Sequence, residues 1–179
     1  MREFISILRG INVGGKVLKM DKLRYIYESL QFQDIKTYIQ SGNVLFNFKV
    51  KEIEKIKIKI EKKIMTETGL DVAVILRNQK ELKRIIDNNL FIKEGIKETE
   101  RMYVTFLEDN PSKELIKTLI SPKPTKDEFR ILGKEIYLFC PGGYGETVLS
   151  NSFFEKKLKM RATTRNWRTT NKLYELSMN

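Results

Sequence analysis

The residues best placed to do chemistry lie towards the two ends of a 179-residue chain. Near the start, Gly10, Gly15 and Lys16 have the G-x-x-x-x-G-K spacing of a phosphate-cradling loop. A nucleotide P-loop also needs Ser or Thr directly after the lysine to hold Mg²⁺, and a helix that begins inside the loop. Here Val17 follows Lys16, and helix signals begin only at Asp21. The spacing supports a simpler device. Gly14 and Gly15 reach positive φ at little cost, so successive N–H groups can face one concavity and nest an anion. Arg9 and Lys16 would flank that nest, and Asn12 would offer an amide donor. The alternative is a wide strand-to-helix connection whose glycines permit close packing.

Near the other end, residues 156–172 hold Lys156, Lys157, Lys159, Arg161, Arg165, Arg168 and Lys172 and no carboxylate. If a helix starts near Asn166, then Arg165, Arg168 and Lys172 stand at i, i+3 and i+7, close to one stripe. Arginine forks suit phosphate oxygens, and Thr163, Thr164, Thr169 and Thr170 add hydroxyl donors beside them. A solvated helix face that complements the C-terminal dipole is the alternative.

Composition limits what these groups can do. Net charge is +11, which favours polyanionic partners: RNA, DNA or a phosphorylated small molecule. There is no histidine, and Cys140 is the only cysteine. Serine-histidine triads, Cys-His pairs, disulfides and nearly every protein zinc site are therefore excluded. Glu108-Asp109 and Asp127-Glu128 read as caps and solvated turns, and Cys140 as an inert core thiol. Tyr144 and Glu146 share a PGGYG loop, with nothing beyond that placement to make them an acid/base pair. No catalytic set, metal site or cofactor emerges. No run approaches the roughly 20 apolar residues of a membrane span, and MREFISILRG turns polar too soon for a signal peptide. A cytoplasmic protein with no membrane partner is expected.

The elements that must position these groups follow from periodicity. Residues 3–8 read as a strand, and Asp21 as the N-cap of a helix with Leu23, Ile26, Tyr27 and Leu30 on one face. Two alternating runs joined around Ser41-Gly42 form a hairpin. Ile53, Ile56, Ile60 and Ile64 make a helical stripe in residues 51–68, and residues 71–77 are a strand. The order is β-α-β-β-α-β. Asn78 and Glu81 cap a connecting helix. A second series then runs through a strand at 101–107, a helix opened by Asn110-Pro111, a hairpin around Gly133-Lys134, a helix holding Phe153, Phe154 and Leu158, and a short strand near 162–164. A final helix covers 166–177. The expected fold is α+β: two tandem ferredoxin-like plaits at 1–77 and 101–179, joined by a connecting helix and loop at 78–100. No sequence repeat links the halves.

Sheet faces offer one more candidate. RNA-recognition motifs stack bases on aromatics of the central strands. In the first plait Asn43, Leu45 and Asn47 make a poor platform. In the second, Met102, Val104 and Phe106 are expected to face the helices with Ile136, Leu138 and Cys140. That leaves Arg101, Tyr103, Tyr137 and Phe139, with Arg130 beside them, as a possible stacking face; an aromatic interface between the sheets is the alternative.

Three segments, ISILRGINVGGK, YIQSGNVLF and ATTRNWRTTNKLYEL, together resemble the bacterial domain-of-unknown-function family 1697, from residue 4 to 176. The resemblance implies two ferredoxin-like halves and no established activity, so it transfers no catalytic residue. After the PGGYG turn relatives often carry a basic-Ser-Lys run, where this chain has Glu146-Thr147-Val148. The first expectation is thus a non-catalytic binder of phosphate-rich ligands, nucleic acid above all. The rivals are an enzyme or sensor for a small anionic metabolite held between the plaits, and an assembly protein.

Overall fold

The computed structural model describes residues 2–12, 14–15, 17–49, 53–121 and 123–178. It is a mixed α+β structure with two four-stranded antiparallel sheets. The chain divides into two compact units, Met1–Leu82 with Leu173–Asn179, and Lys83–Lys172. The segment 78–100, expected as a separate connection, is shared between them at Leu82.

The first unit runs β1 (Arg2–Leu8), α1 (Met20–Ser29), β2 (Gln33–Tyr38), β3 (Asn43–Phe48), α2 (Ile53–Thr68) and β4 (Val74–Arg77), with sheet order β2-β3-β1-β4. One sheet face, with Phe4, Leu8, Val44, Phe46 and Val74, packs on the apolar stripes Leu23, Ile26, Tyr27 of α1 and Ile56, Ile60, Ile64 of α2. Aromatics dominate this core. Phe46 stacks on Phe32 at 4.4 Å and on Phe4 at 5.7 Å, with the Tyr27 ring edge-on at 5.3 Å. Tyr27 is fully buried, so its hydroxyl needs a partner; it shares a 2.5 Å hydrogen bond with Ser6 of β1. Burial pushes the Tyr27 pKa up. Helix α1 starts two residues earlier than its sequence signal. Lys19 is the N-cap without a side-chain bond, and Asp21 sits in the first turn.

The second unit repeats the element order. α3 (Gln79–Asp87) crosses the division at Leu82, and α4 (Leu90–Lys93) and a 3-10 turn at Thr99–Arg101 lead into β5 (Met102–Leu107). Then come α5 (Lys113–Ile116), β6 (Glu128–Leu132), β7 (Glu135–Phe139), α6 (Asn151–Leu158), β8 (Ala162–Asn166) and α7 (Trp167–Leu176), which crosses the division after Lys172, with sheet order β6-β7-β5-β8. Ser112, not Pro111, sets the start of α5: its hydroxyl accepts from Leu115 N at 3.3 Å. Ile136, Leu138, Cys140, Phe154, Leu158 and Ala162 form the core on one sheet face.

The same kind of strand-to-helix junction occurs after the fourth strand of each sheet. Each fourth strand ends in Arg-Asn before a helix: Arg77-Asn78 before α3, Arg165-Asn166 before α7. Both arginines are buried, at 3% and 8% exposure, and each Nη1 donates to the carbonyl of its preceding residue at 2.9 Å. Both asparagines cap the following helix, Asn78 accepting from Glu81 N at 3.0 Å and Asn166 from Thr169 N at 2.7 Å. Glu81 returns the bond to Asn78 N, completing a capping box.

Replacing Tyr27 by Phe removes the one hydroxyl that satisfies Ser6 from α1. We expect a loss of about 1–2 kcal/mol, measured by urea denaturation, with the slope of the transition unchanged.

Candidate functional site

The segment after β1 does not run free to α1. Asn12 ties it down with one side chain: Nδ2 donates to Leu18 O at 3.0 Å and to Gln40 O at 2.6 Å, while Oδ1 accepts from Leu18 N at 2.8 Å. Both amide hydrogens are thereby engaged. The expectation that Asn12 would donate to an anion is corrected: it builds the loop. Its left-handed backbone, φ 55°, is one asparagine tolerates.

The loop crosses the β2–β3 hairpin at Gly42. Leu8 N donates to Gly42 O at 2.8 Å, and a Cβ on Gly42 would stand 2.4 Å from Ile11 Cδ1. At φ 74° only glycine fits both the turn and this approach. Two of the three segments that carry the family resemblance thus meet in one cluster.

Above that seam the loop is open. Gly10, Gly14 and Gly15 have φ of 71°, 57° and 85°, and a Cβ on any of them would meet nothing within 4 Å. These glycines serve backbone conformation, not packing, as a nest requires. Gly14 and Gly15 are exposed, as is Lys19. Arg9 is half-buried at the base of the loop, its N–H donating to Ala73 O at 2.9 Å. Lys16 lies outside the described residues.

One residue of the hairpin is out of character. Ile39 has φ 51° with its side chain 46% exposed. Left-handed geometry is a steric outlier for a β-branched residue and costs on the order of 1–3 kcal/mol. Val17, on the far side of Asn12, is 73% exposed.

The other candidates are dispersed. Arg165 is in strand β8, not on a helix, so the stripe with Arg168 and Lys172 does not form. Arg165 is buried, its Nη1 also donating to Thr163 Oγ1 at 3.0 Å. Arg168 is exposed and Lys172 half-buried on α7, while exposed Arg161 donates its N–H to the Glu108 carboxylate at 3.4 Å and its carbonyl accepts from Glu108 N at 3.0 Å.

The stacking face is also corrected. Strand partners across a ladder share a face, and Tyr103 pairs with Leu138 of the core, whereas Val104 pairs with Tyr137 and Met102 with Phe139. Tyr103 therefore lies opposite to Tyr137 and Phe139. The connecting segment covers the latter pair: Tyr137 donates its hydroxyl to Ile85 O at 3.0 Å, and Phe139 lies 5.9 Å from Phe91. Arg130 is held over the Phe91 ring at 4.9 Å, with two bonds of 3.1 Å to Glu94 and one of 3.0 Å to Glu128. These carboxylates neutralise it. Arg101 is exposed beside Gly143, and Tyr103 packs on Tyr144 at 5.2 Å. Tyr144 in turn donates its hydroxyl to Thr164 at 3.0 Å, so it fastens the PGGYG loop to β8.

Cys140 is buried in the second unit, and burial pushes its thiol up to about 11, with the charge of Asp127 adding to the shift. Its thiol is protonated at neutral pH and a poor nucleophile. No group of three or more Cys, Asp and Glu among the described residues is arranged to hold a metal ion. No helix of the described residues is long and apolar enough to cross a membrane.

Asn12→Ala should destabilise the chain by about 2–3 kcal/mol, because three bonds vanish and Leu18 N loses its acceptor; thermal melts measure this. Cys140 gives a pH signature. The unfolded chain ionises the thiol from about pH 8.5 while the folded chain holds its proton to about 11, so stability falls across that window as pH rises. The slope from this group is at most about 1.4 kcal/mol per pH unit, and the gap between wild type and Cys140→Ala in denaturation at pH 8 and pH 10.5 should show it.

No curated protein matches the chain. The structure of conserved bacterial protein SP0830 from Streptococcus pneumoniae is similar throughout, with a TM-score of 0.75 and 20% identity over 100% of this chain and 99% of that one. At that identity the likeness is one of fold. Residues 1–137 match the family described as protein of unknown function (DUF1697), a span that includes the glycine loop, the hairpin and the first unit's whole sheet. The chain belongs to the DUF1697 family.

Proposed function

We propose that the chain is a non-catalytic binder of phosphate-rich ligands, with nucleic acid the foremost, and that the ligand lies on the loop of residues 9–16. The observation that carries this reading is the open glycine turn. Its left-handed residues, Gly10, Asn12, Gly14 and Gly15, are braced by Asn12 and Gly42 from below and left unobstructed above. Backbone N–H groups in such a run complement an anion. Arg9 at the base, Lys16 in the sequence and exposed Lys19 supply charge, within a chain of net charge +11. The C-terminal arginines have a smaller part in this reading, since the strand position of Arg165 removes the stripe. The absence of histidine and the protonated, buried Cys140 argue against catalysis.

Both units have the order β-α-β-β-α-β and a sheet with the third strand beside the first, which supports two ferredoxin-like plaits in tandem. Composition supports a cytoplasmic location.

The test is a titration of the protein with single-stranded RNA and DNA oligonucleotides across a range of salt. Binding should weaken linearly in log affinity against log salt. Arg9→Ala combined with Lys16→Ala should lower that slope by about 1.4, two phosphate contacts at about 0.7 each on a single strand, while Arg168→Ala leaves it nearly unchanged. No binding at low salt, or an unaltered slope in the double variant, would overturn the proposal.

A further inference from the structure

Resting on that reading, we infer that the hairpin tip is the base-contacting half of the same site, so that the ligand is a single-stranded nucleic acid and not a bare polyphosphate. Two exposed apolar side chains border the glycine loop, Val17 at 73% exposure and Ile39 at 46%. Their backbones are fixed together. The carbonyls of Leu18 and Gln40, each next to one of these residues, accept from the same Asn12 nitrogen at 3.0 and 2.6 Å, and so lie roughly 6 Å apart at most. Apolar surface thus stands beside the open glycine turn, in a stretch of chain that also carries exposed Lys19. A polyphosphate would use only the nest and the cations; a nucleotide strand uses all three, phosphate on the loop and base faces on Ile39 and Val17.

The backbone of Ile39 gives the second argument. The other described non-glycine residues with positive φ are Asn12, Gln31, Asp34 and Lys159, types without a branched Cβ. Ile39 is the β-branched exception, and its side chain, 46% exposed, does little for the core. Glycine or asparagine would fit this turn with less strain. Strain in an exposed side chain points to a role in contact with a ligand.

The experiment compares Ile39→Gly and Val17→Ser with wild type, using a single-stranded oligonucleotide and inorganic polyphosphate as probes at one salt concentration. Wild type should bind both. Each variant should lose oligonucleotide affinity by about tenfold while its polyphosphate affinity changes by less than about twofold. The melting temperature of Ile39→Gly should hold or rise, because the strain is relieved. If wild type binds both probes and the variants weaken neither, or weaken both equally, the base-contacting role is overturned and the phosphate site stands. A lowered melting temperature in Ile39→Gly would also overturn it, since Ile39 would then serve the fold. If wild type binds neither probe, both this inference and the function it rests on fail.

Discussion

The side chain of Asn12 is the constraint on which the candidate site depends. A connection from the first strand to the first helix must pass the β2–β3 hairpin, and without a bond between them the loop would have many conformations. Asn12 ties the two together: its Nδ2 donates to the carbonyls of Leu18 and Gln40, and its Oδ1 accepts from Leu18 N. Gly42 makes the close approach possible, since any larger residue would collide with Ile11. Only because the crossing is fixed from below can the glycines above it be left open. An unbraced glycine loop would lose too much entropy on binding to hold an anion well.

Much of the architecture was legible in the chain, because patterning agreed with propensity there. The isoleucines of α2 at 56, 60 and 64 are all buried, as their spacing required. Failure came where two faces of a strand were both covered. On β5, Met102, Val104 and Phe106 are buried, but so are Thr105 and Leu107 on the other side. Alternation of hydrophobicity then carries no information about which face meets the helices, and the expected set, Met102, Val104 and Phe106, lies on the face opposite to Leu138. Only the ladder, with Tyr103 opposite Leu138, decides it.

The C-terminal stripe failed for a related reason. Ala162–Asn166 reads ATTRN, and β-branched threonines favour a strand as far as Arg165. A helical stripe drawn from Arg165, two residues before α7 begins, groups a buried strand residue with exposed Arg168 and half-buried Lys172. The Arg-Asn junction was a better signal. Its recurrence at 77–78 and 165–166 marks the end of the last strand in each unit, where an arginine bonds back to the chain and an asparagine caps the next helix. Two residues are too short a repeat to be noticed without the strands that frame them.

Seen this way, the net charge of +11 is a poor guide to where an anion would sit. Arg130 is matched by two carboxylates and a phenyl ring, and Arg165 is bound to threonine oxygens inside a sheet. A cation in such a setting has already been offered its counter-ligands by the fold, and a phosphate would have to displace them in a partly buried site. The glycine loop is different in kind. In the proposed site its donors would be backbone N–H groups whose direction is set by φ, at exposed Gly14 and Gly15 and half-buried Gly10 and Asn12. Recognition there would depend on conformation first and on charge second. On that ordering a count of cations is no map of a site: of the seven near the C-terminus Arg165 is placed for folding, and the stretch around Gly42, YIQSGNVLF, shapes the turn with no charge at all.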